Sequence, residues 1–404
     1  MRCHVWPASF EDSILLYKGQ LRIHLDDEAI DGHGQVVLLW RPSPHIAYRF
    51  VGGTSTEALH LVGNKGQEPT AVELLDLVGD VPIPPKNARI VELADLGTEP
   101  RTVTLEGDLP RQEFGKHDAP VTCVVFHLIN FIPDDLPEVV EGPDGQSHGR
   151  LTLTSGDWQL TIVGPSDVAA PFDELQREGG YAFTHLAELR RSDGRSFTVQ
   201  NTELVQDVFF HLLGFTRGAL VGVGLPVAYD DSDQPVWARW SITVVDRWTN
   251  TLNWCEPKLL PELSQIFDGW LRRAADPFWH GVLRRVVRTC LTASTPRPLD
   301  TAVAETQMAL ELLAWAVLVV DGHWLEAGDG DLSAAGQMRL LLRWAGINTT
   351  IDERLVALRA LAKRKNLVDG PQVLVYVRNR IVHPRRKPKG APSWPDHEEL
   401  QESW

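Results

Sequence analysis

The pattern of apolar and polar positions changes character once along the 404 residues. In the first two-thirds the apolar residues alternate with polar ones. Leu21-Arg22-Ile23-His24-Leu25 has the period of two that a strand with one buried face requires. Leu151-Thr152-Leu153-Thr154, the turn Ser155-Gly156-Asp157 and Trp158-Gln159-Leu160-Thr161-Ile162 predict a hairpin. A second hairpin is expected from residues 181–190, the turn Ser192-Asp193-Gly194 and the run Ser196-Phe197-Thr198-Val199. Proline and glycine punctuate this part around 82–85, 133–137 and 142–149. Leu204, Val208, Leu212 and Phe215 follow helical spacing and predict one short helix over 203–215, after which strands resume at 237–245. Residues 1–255 thus read as an antiparallel β sandwich or barrel-like region, long enough for two subdomains.

After Pro257 the apolar spacing becomes three and four. Segments 260–270, 278–291, 299–320, 332–344, 351–361 and 371–383 predict helices with short connections marked by Gly or Pro. Asp300 or Thr301 is the expected N-cap of the third. The result is an all-α bundle over 256–390, and residues 391–404, with Trp394, prolines and four acids, are expected to form a flexible acidic tail. The fold class is α+β.

The last of these helices carries the chemistry. Pro371 suits its first turn and Pro384 ends it near His383. With about 100° per residue from Leu374, the residues Val375, Val377, Ile381 and Val382 share one stripe, and Arg378 falls at about +40° within it. Asn379 and His383, four apart, share its polar edge. An arginine on an apolar face needs a partner, because a buried guanidinium stays charged. Glu311, which interrupts Ala309-Leu310-Glu311-Leu312-Leu313-Ala314-Trp315 in the most hydrophobic helix, is the candidate. Two readings stay open: an ion pair that only sets helix register, or a catalytic arginine.

Arg378-Asn379-Arg380-Ile381-Val382-His383 resembles the R-x4-H motif of the HEPN superfamily, with a polar residue after the arginine. The order of further landmarks is similar to that of bacterial proteins ending in an ApeA-like HEPN domain. These are Thr184-His185, Phe215-Thr216-Arg217-Gly218, Val236-Trp237 and Ala309 to Trp315. The likeness covers about residues 180–386. It implies a HEPN bundle, a homodimer formed through the helical region, and metal-independent cleavage of RNA by attack of the 2′-hydroxyl. His383 would then transfer protons near neutral pH, and Arg378 would bind and stabilise the phosphate. Asn379 would orient either group and Glu311 would hold Arg378. Arg380, Arg385, Arg386 and Lys387 would add contacts to RNA. Pro384 and Arg385 stand where some HEPN toxins carry a modified tyrosine, so that control is not expected. The implied setting is cytoplasmic phage defence, with a phage-derived trigger sensed by the β-rich region. The alternative is a non-catalytic HEPN-fold scaffold that binds RNA or protein.

Charge bears on this reading. A composition of 43% hydrophobic and 23% charged residues excludes wholesale disorder, and the net charge of −15 by itself disfavours a polyanionic partner. The charge is uneven, however: residues 1–257 carry −18, residues 258–390 carry +7 and the last 14 carry −4. A basic helical region therefore sits beside an acidic one, as an RNA-facing domain with a restraining neighbour would. The four cysteines, Cys3, Cys123, Cys255 and Cys290, have no paired spacing, which points to a reducing compartment. No metal or other cofactor is expected, since no His or Cys pair has ligand spacing. No run of about 18 uninterrupted apolar residues occurs, so no membrane association is expected. Gly145-Gln146-Ser147-His148-Gly149 matches a nucleophile elbow in letters but lacks the strand-to-helix context, because a strand is expected after it. Gly218 to Gly224 lacks a phosphate-loop lysine, and Asp321 to Asp331 fails the calcium-loop spacing.

Overall fold

Strands fill the first part of the chain and helices the second, as the change in spacing requires. The computed structural model describes residues 12–25, 29–54, 69–75, 82–94, 101–132, 136–141, 147–164, 169–249, 255, 257–295, 298–326, 332–384 and 394–403. The chain forms two compact units. Among the described residues, one runs to Leu271 apart from Gly214–Ala219, and that stretch clusters with the residues from Arg272 onward in the other.

The first unit holds two antiparallel sheets. β1 (Ile14–His24), β2 (Ala29–Leu39), β3 (His45–Thr54), β4 (Ala71–Leu74), β5 (Lys86–Ala94) and β6 (Arg101–Leu109) form one, in the order β4-β1-β2-β3-β6-β5. The other contains β7 (Gln112–Gly115), β8 (Cys123–Ile129), β9 (Glu138–Glu141), β10 (Ser147–Ser155), β11 (Trp158–Val163), β12 (Phe183–Arg191), β13 (Gly222–Tyr229) and β14 (Pro235–Trp240). Its order is β7-β14-β13-β8-β12-β11-β10-β9. Alternation along the first sheet sends Leu21, Ile23, Val36, Leu38, Tyr48 and Phe50 into a core shared with Phe183 and Leu225 of the second. Trp40 meets Phe183 edge-on, with ring centroids 5.1 Å apart. β8, Cys-Val-Val-Phe-His-Leu-Ile, is buried at every position, as a central strand covered on both faces must be. Its Phe126 lies 6.5 Å from Phe209 of α2 (Glu203–Arg217), while α1 (Ala169–Glu178) packs Phe172 and Leu175 against Trp248.

The hairpin expected at 151–162 is present as β10 and β11, with Ser155 opposite Trp158 and Gly156 in the left-handed region. The second expected hairpin is not. β12 already pairs with β11 on one side and β8 on the other, so no edge remains for residues 196–199. They lead instead into a 3-10 turn, Val199–Thr202, where the Asn201 side chain accepts from the Thr198 N–H at 3.0 Å.

β12 also buries the first landmark pair. Thr184 Oγ1 accepts from the Phe131 N–H at 3.0 Å. His185 is wholly buried between Phe131 and Phe172, with ring centroids 5.2 and 6.3 Å away, and neither ring nitrogen has a hydrogen-bond partner. Burial holds its pKa down at about 3, so the folded protein keeps it neutral. The unfolded chain takes up a proton below about pH 6.5. Stability from this source is therefore complete above pH 6.5 and is lost as pH falls from there towards 3. Relative to a His185→Phe variant, the wild type should lose about 2 kcal/mol between pH 6.5 and 5 in urea unfolding. Equal slopes for the two proteins would show that His185 titrates normally in the fold.

The helical region begins with α3 (Leu263–Ala274) and α4 (Pro277–Ser294). It continues with α5 (Leu299–Trp315), which passes through a π turn, Ala316–Asp321. α6 (Ala334–Trp344), α7 (Val356–Lys365), α8 (Gly370–Val382) and α9 (His397–Ser403) complete it. The domain boundary expected at 255 shifts. The Thr154 N–H donates to Ser264 Oγ at 3.0 Å, and Ser155 Oγ donates to Asp268 at 3.0 Å, so most of α3 belongs with the sheets. Texture changes where helices start, whereas packing changes nearly one helix later. Pro298, not Asp300 or Thr301, occupies the N-cap of α5. The stretch Leu299–Asp321 is long and apolar enough to cross a membrane by length and composition. Its Val303 and Ala314 nonetheless pack into two helical cores, beside Val373 and Leu341 respectively.

Residues 397–403 correct the expectation of a flexible tail. They form α9, whose Leu400 packs on the core made by Val303, Leu358, Leu361, Val373 and Val377. The acids that suggested a solvated tail are used in the bundle: Glu399 is buried, and the Glu402 carboxylate accepts from the Ala357 and Leu358 N–H groups at 3.0 and 2.9 Å. Those groups are among the orphan donors of the α7 N-terminus, and its N-cap residue, Leu355, makes no side-chain cap.

Candidate functional site on helix α8

Asp369 starts α8 as its N-cap, accepting from the Gln372 N–H at 3.1 Å, with Pro371 in the first turn. It also binds Arg339 of α6 through both carboxylate oxygens. Burial pushes the Asp369 carboxyl up, but the Arg339 guanidinium and the Gln372 N–H outweigh it and hold the carboxyl below the ordinary carboxylate range. The stabilisation is present above the ordinary pKa of 3.8 and is lost as pH falls through the lower folded value. Asp369→Ala should cost about 2–3 kcal/mol in thermal or urea unfolding and Asp369→Asn about half that, since asparagine caps but does not pair. Equal costs would place the whole effect in the cap.

The far end of α8 carries the R-x4-H residues. Arg378 is half-buried and Nη1 donates to Asn379 Oδ1 at 3.1 Å. His383 is the exposed C-cap, its backbone N–H bonded to the Asn379 carbonyl at 2.8 Å. The expected Arg378–Glu311 pair does not form. Glu311, half-buried on α5, accepts instead from Gln307 Nε2 at 2.7 Å, and Gln307 is buried with its Oε1 lacking a partner.

The reason is rotational. The fully buried positions of α8 are Pro371, Val373 and Val377, while Val382 stays 47% exposed. On the same wheel the centre between Val373 and Val377 falls at about −80°, leaving Arg378 about 120° away. Arg380 lies only about 40° from that centre. It is the buried arginine of this helix, 15% exposed at its side chain. Arg380 Nη1 donates to Glu399 Oε2 at 2.6 Å and its Nη2 to the Trp394 carbonyl. Arg364 of α7 donates to the other oxygen, Glu399 Oε1, also at 2.6 Å. A buried Arg–Glu pair is thus present, but it joins Arg380 to α9. Arg380, expected as an RNA contact, is engaged by Glu399 and the Trp394 carbonyl in the described arrangement. Arg385, Arg386 and Lys387 lie outside the described residues. The Glu399 clamp went unread in the sequence, although four acids in the last 14 residues facing Lys363-Arg364-Lys365 carried a signal of charge complementarity.

Of the other motifs, Ser147 opens strand β10 and so is not followed by a helix, while Gly145 and Gln146 lie outside the described residues. Among the described residues no three His, Cys, Asp or Glu side chains converge as metal ligands would.

These features define a class: a two-unit α+β protein, with packed antiparallel sheets followed by helices, the last but one of which carries an Arg-x4-His segment at its C-terminal end. Residues 116–251 match the family model of the YopA central domain, and residues 276–404 match that of the YopA C-terminal domain. The chain is 26% identical over 380 residues to the SPbeta prophage-derived uncharacterized protein YopA of Bacillus subtilis (strain 168), covering 93% of this chain and 83% of the relative. No solved structure matches it.

Proposed function

We propose that the chain is a HEPN-type endoribonuclease that cuts RNA without a metal ion and acts in the cytoplasm in phage defence. The observation that carries this reading is the state of the α8 terminus. Arg378 has no acidic partner among the described residues, and His383, five residues later at the helix end, is exposed. Both side chains are thus available to a phosphate. In a dimer, one His383 would accept the 2′-hydroxyl proton as that oxygen attacks phosphorus. The other would protonate the departing 5′-oxygen, leaving a 2′,3′-cyclic phosphate and a 5′-hydroxyl. Arg378 would take the charge that develops on the phosphoryl oxygens. Asn379, already bound to Arg378, would orient it. The prophage origin in the relative's name fits a setting of phage conflict, with the sheet unit as sensor of a phage-derived trigger.

A second reading, a non-catalytic RNA- or protein-binding scaffold, is favoured by one observation. Glu399 consumes Arg364 and Arg380, which reduces the basic face. Incubating the full chain with an RNA pool in EDTA, with and without extract of phage-infected cells, separates the two. Cleavage that depends on His383 supports the nuclease. RNA retention without cleavage in either condition favours the scaffold.

A further inference from the structure

The sheet unit contains a cleft that the helical chemistry does not use. It lies between β1 of the six-stranded sheet and β8, β13 and β14 of the eight-stranded one, with a volume of about 130 Å³. Ile14, Leu16, Val125, Leu225 and Val227 give it an almost wholly apolar wall. An apolar cavity of roughly 150 Å³ is enough to hold benzene, so this one suits a body of about six carbons.

Arg239 also lines the cleft, and its hydrogen bonding is incomplete. The guanidinium has five N–H donors. Nη2 donates to Gln206 Oε1 at 3.1 Å, Nε is buried without a partner, and Nη1 stands 3.9 Å from Glu113 Oε1, beyond a hydrogen bond. Glu113 is already engaged by Arg111 through Nε and Nη2. Glu113 therefore serves Arg111 first, and Arg239 feels it and Glu203 only at a distance, beside an apolar space. Gln206, itself bonded to Thr202 Oγ1 at 2.6 Å, and the Trp237 ring, 5.5 Å away, fix the Arg239 fork in place. Burial, and then the nearby Arg111 guanidinium, lower the Arg239 pKa, with Glu113 and Glu203 opposing the shift.

We propose that this cleft is a binding site for a small amphipathic carboxylate, with its apolar body between the sheets and its carboxylate on the Nε–Nη2 edge of Arg239. That edge matches a carboxylate bidentately, and the apolar wall rejects ligands that are polar throughout. The proposal does not rest on the nuclease reading, because it concerns a separate unit and a separate ligand.

The test is isothermal titration of the full chain with sodium hexanoate, sodium benzoate and hexan-1-ol. Hexanoate is expected to saturate one site and to bind about tenfold or more tighter than hexan-1-ol, as a charge-assisted pair gives. Arg239→Gln should bring hexanoate down to the affinity of hexan-1-ol, and Arg239→Lys should retain part of the difference. Val227→Phe, at a half-buried wall position, should abolish binding of both while circular dichroism stays unchanged. Hexanoate binding no tighter than hexan-1-ol, unchanged affinity in a folded Arg239→Gln protein, or no saturable binding of any of the three would overturn the assignment. Should Arg239→Gln fail to fold, the Val227→Phe result and the hexanoate-to-hexanol ratio decide.

Discussion

Replacing Glu399 by alanine is expected to destabilise the helical unit by about 3–5 kcal/mol, the usual cost of removing one member of a buried ion pair. The carboxylate is 4% exposed and bonds Arg364, Arg380 and the Asp396 N–H. Most of the loss would come through Arg380, whose side chain is 15% exposed and would remain charged without its partner. Arg364, 54% exposed, can return to water, so its half of the clamp contributes little. Three controls follow from this division. Arg364→Ala should cost under about 1 kcal/mol, Glu399→Gln should fall between wild type and alanine, and an Arg380→Met, Glu399→Leu double variant should recover much of the loss. Glu402→Gln, which weakens the cap on α7, should cost about 1 kcal/mol. Urea unfolding followed by helical circular dichroism reads all of these. A Glu399→Ala change of less than about 1 kcal/mol would mean that α9 is not held by the clamp.

What the sequence disclosed and what it hid divide along one physical line. Local features were legible. The β10–β11 hairpin is encoded by its own turn, and α8 is bounded by Asp369, Pro371 and Pro384, all within its own span. Features set by distant partners were not. Residues 196–199 alternate like a strand, yet β12 has no free edge for them, and that depends on β8, more than fifty residues earlier. The wheel for α8 placed the buried stripe by counting apolar residues, and Val382 and Leu374 pulled its centre towards Arg378. Packing against Val303 and Leu361 set the centre at Val373 and Val377 instead. The expectation of a buried arginine paired with a glutamate was right in kind and wrong in residues. It is met by Arg380 and Glu399, the latter in a segment whose acids read as solvated until α9 packs on the bundle. The +7 of residues 258–390 and the −4 that follows are not independent, since Glu399 and Glu402 are spent on the bundle.

On the nuclease reading, His383→Ala is expected to lower RNA cleavage by about 10²–10⁴-fold, the range for loss of a general acid or base. Arg378→Lys should also reduce it strongly, because an ammonium cannot hold a phosphate through a planar fork. His383 is exposed and Arg378 is not among the buried residues, so both variants should unfold within about 1 kcal/mol of wild type. Arg380→Ala supplies the contrast, since it should lose stability whether or not it loses activity. These single variants still leave open whether each active site draws on one protomer or two. Mixing wild-type and His383→Ala chains, then allowing them to exchange, resolves the point. If both histidines serve one cut, only wild-type pairs are active, and an equal mixture retains about a quarter of the activity. Independent sites would retain about half. A half-active mixture would therefore sink the composite site while leaving a single-protomer nuclease standing, and undiminished cleavage by His383→Ala would sink both.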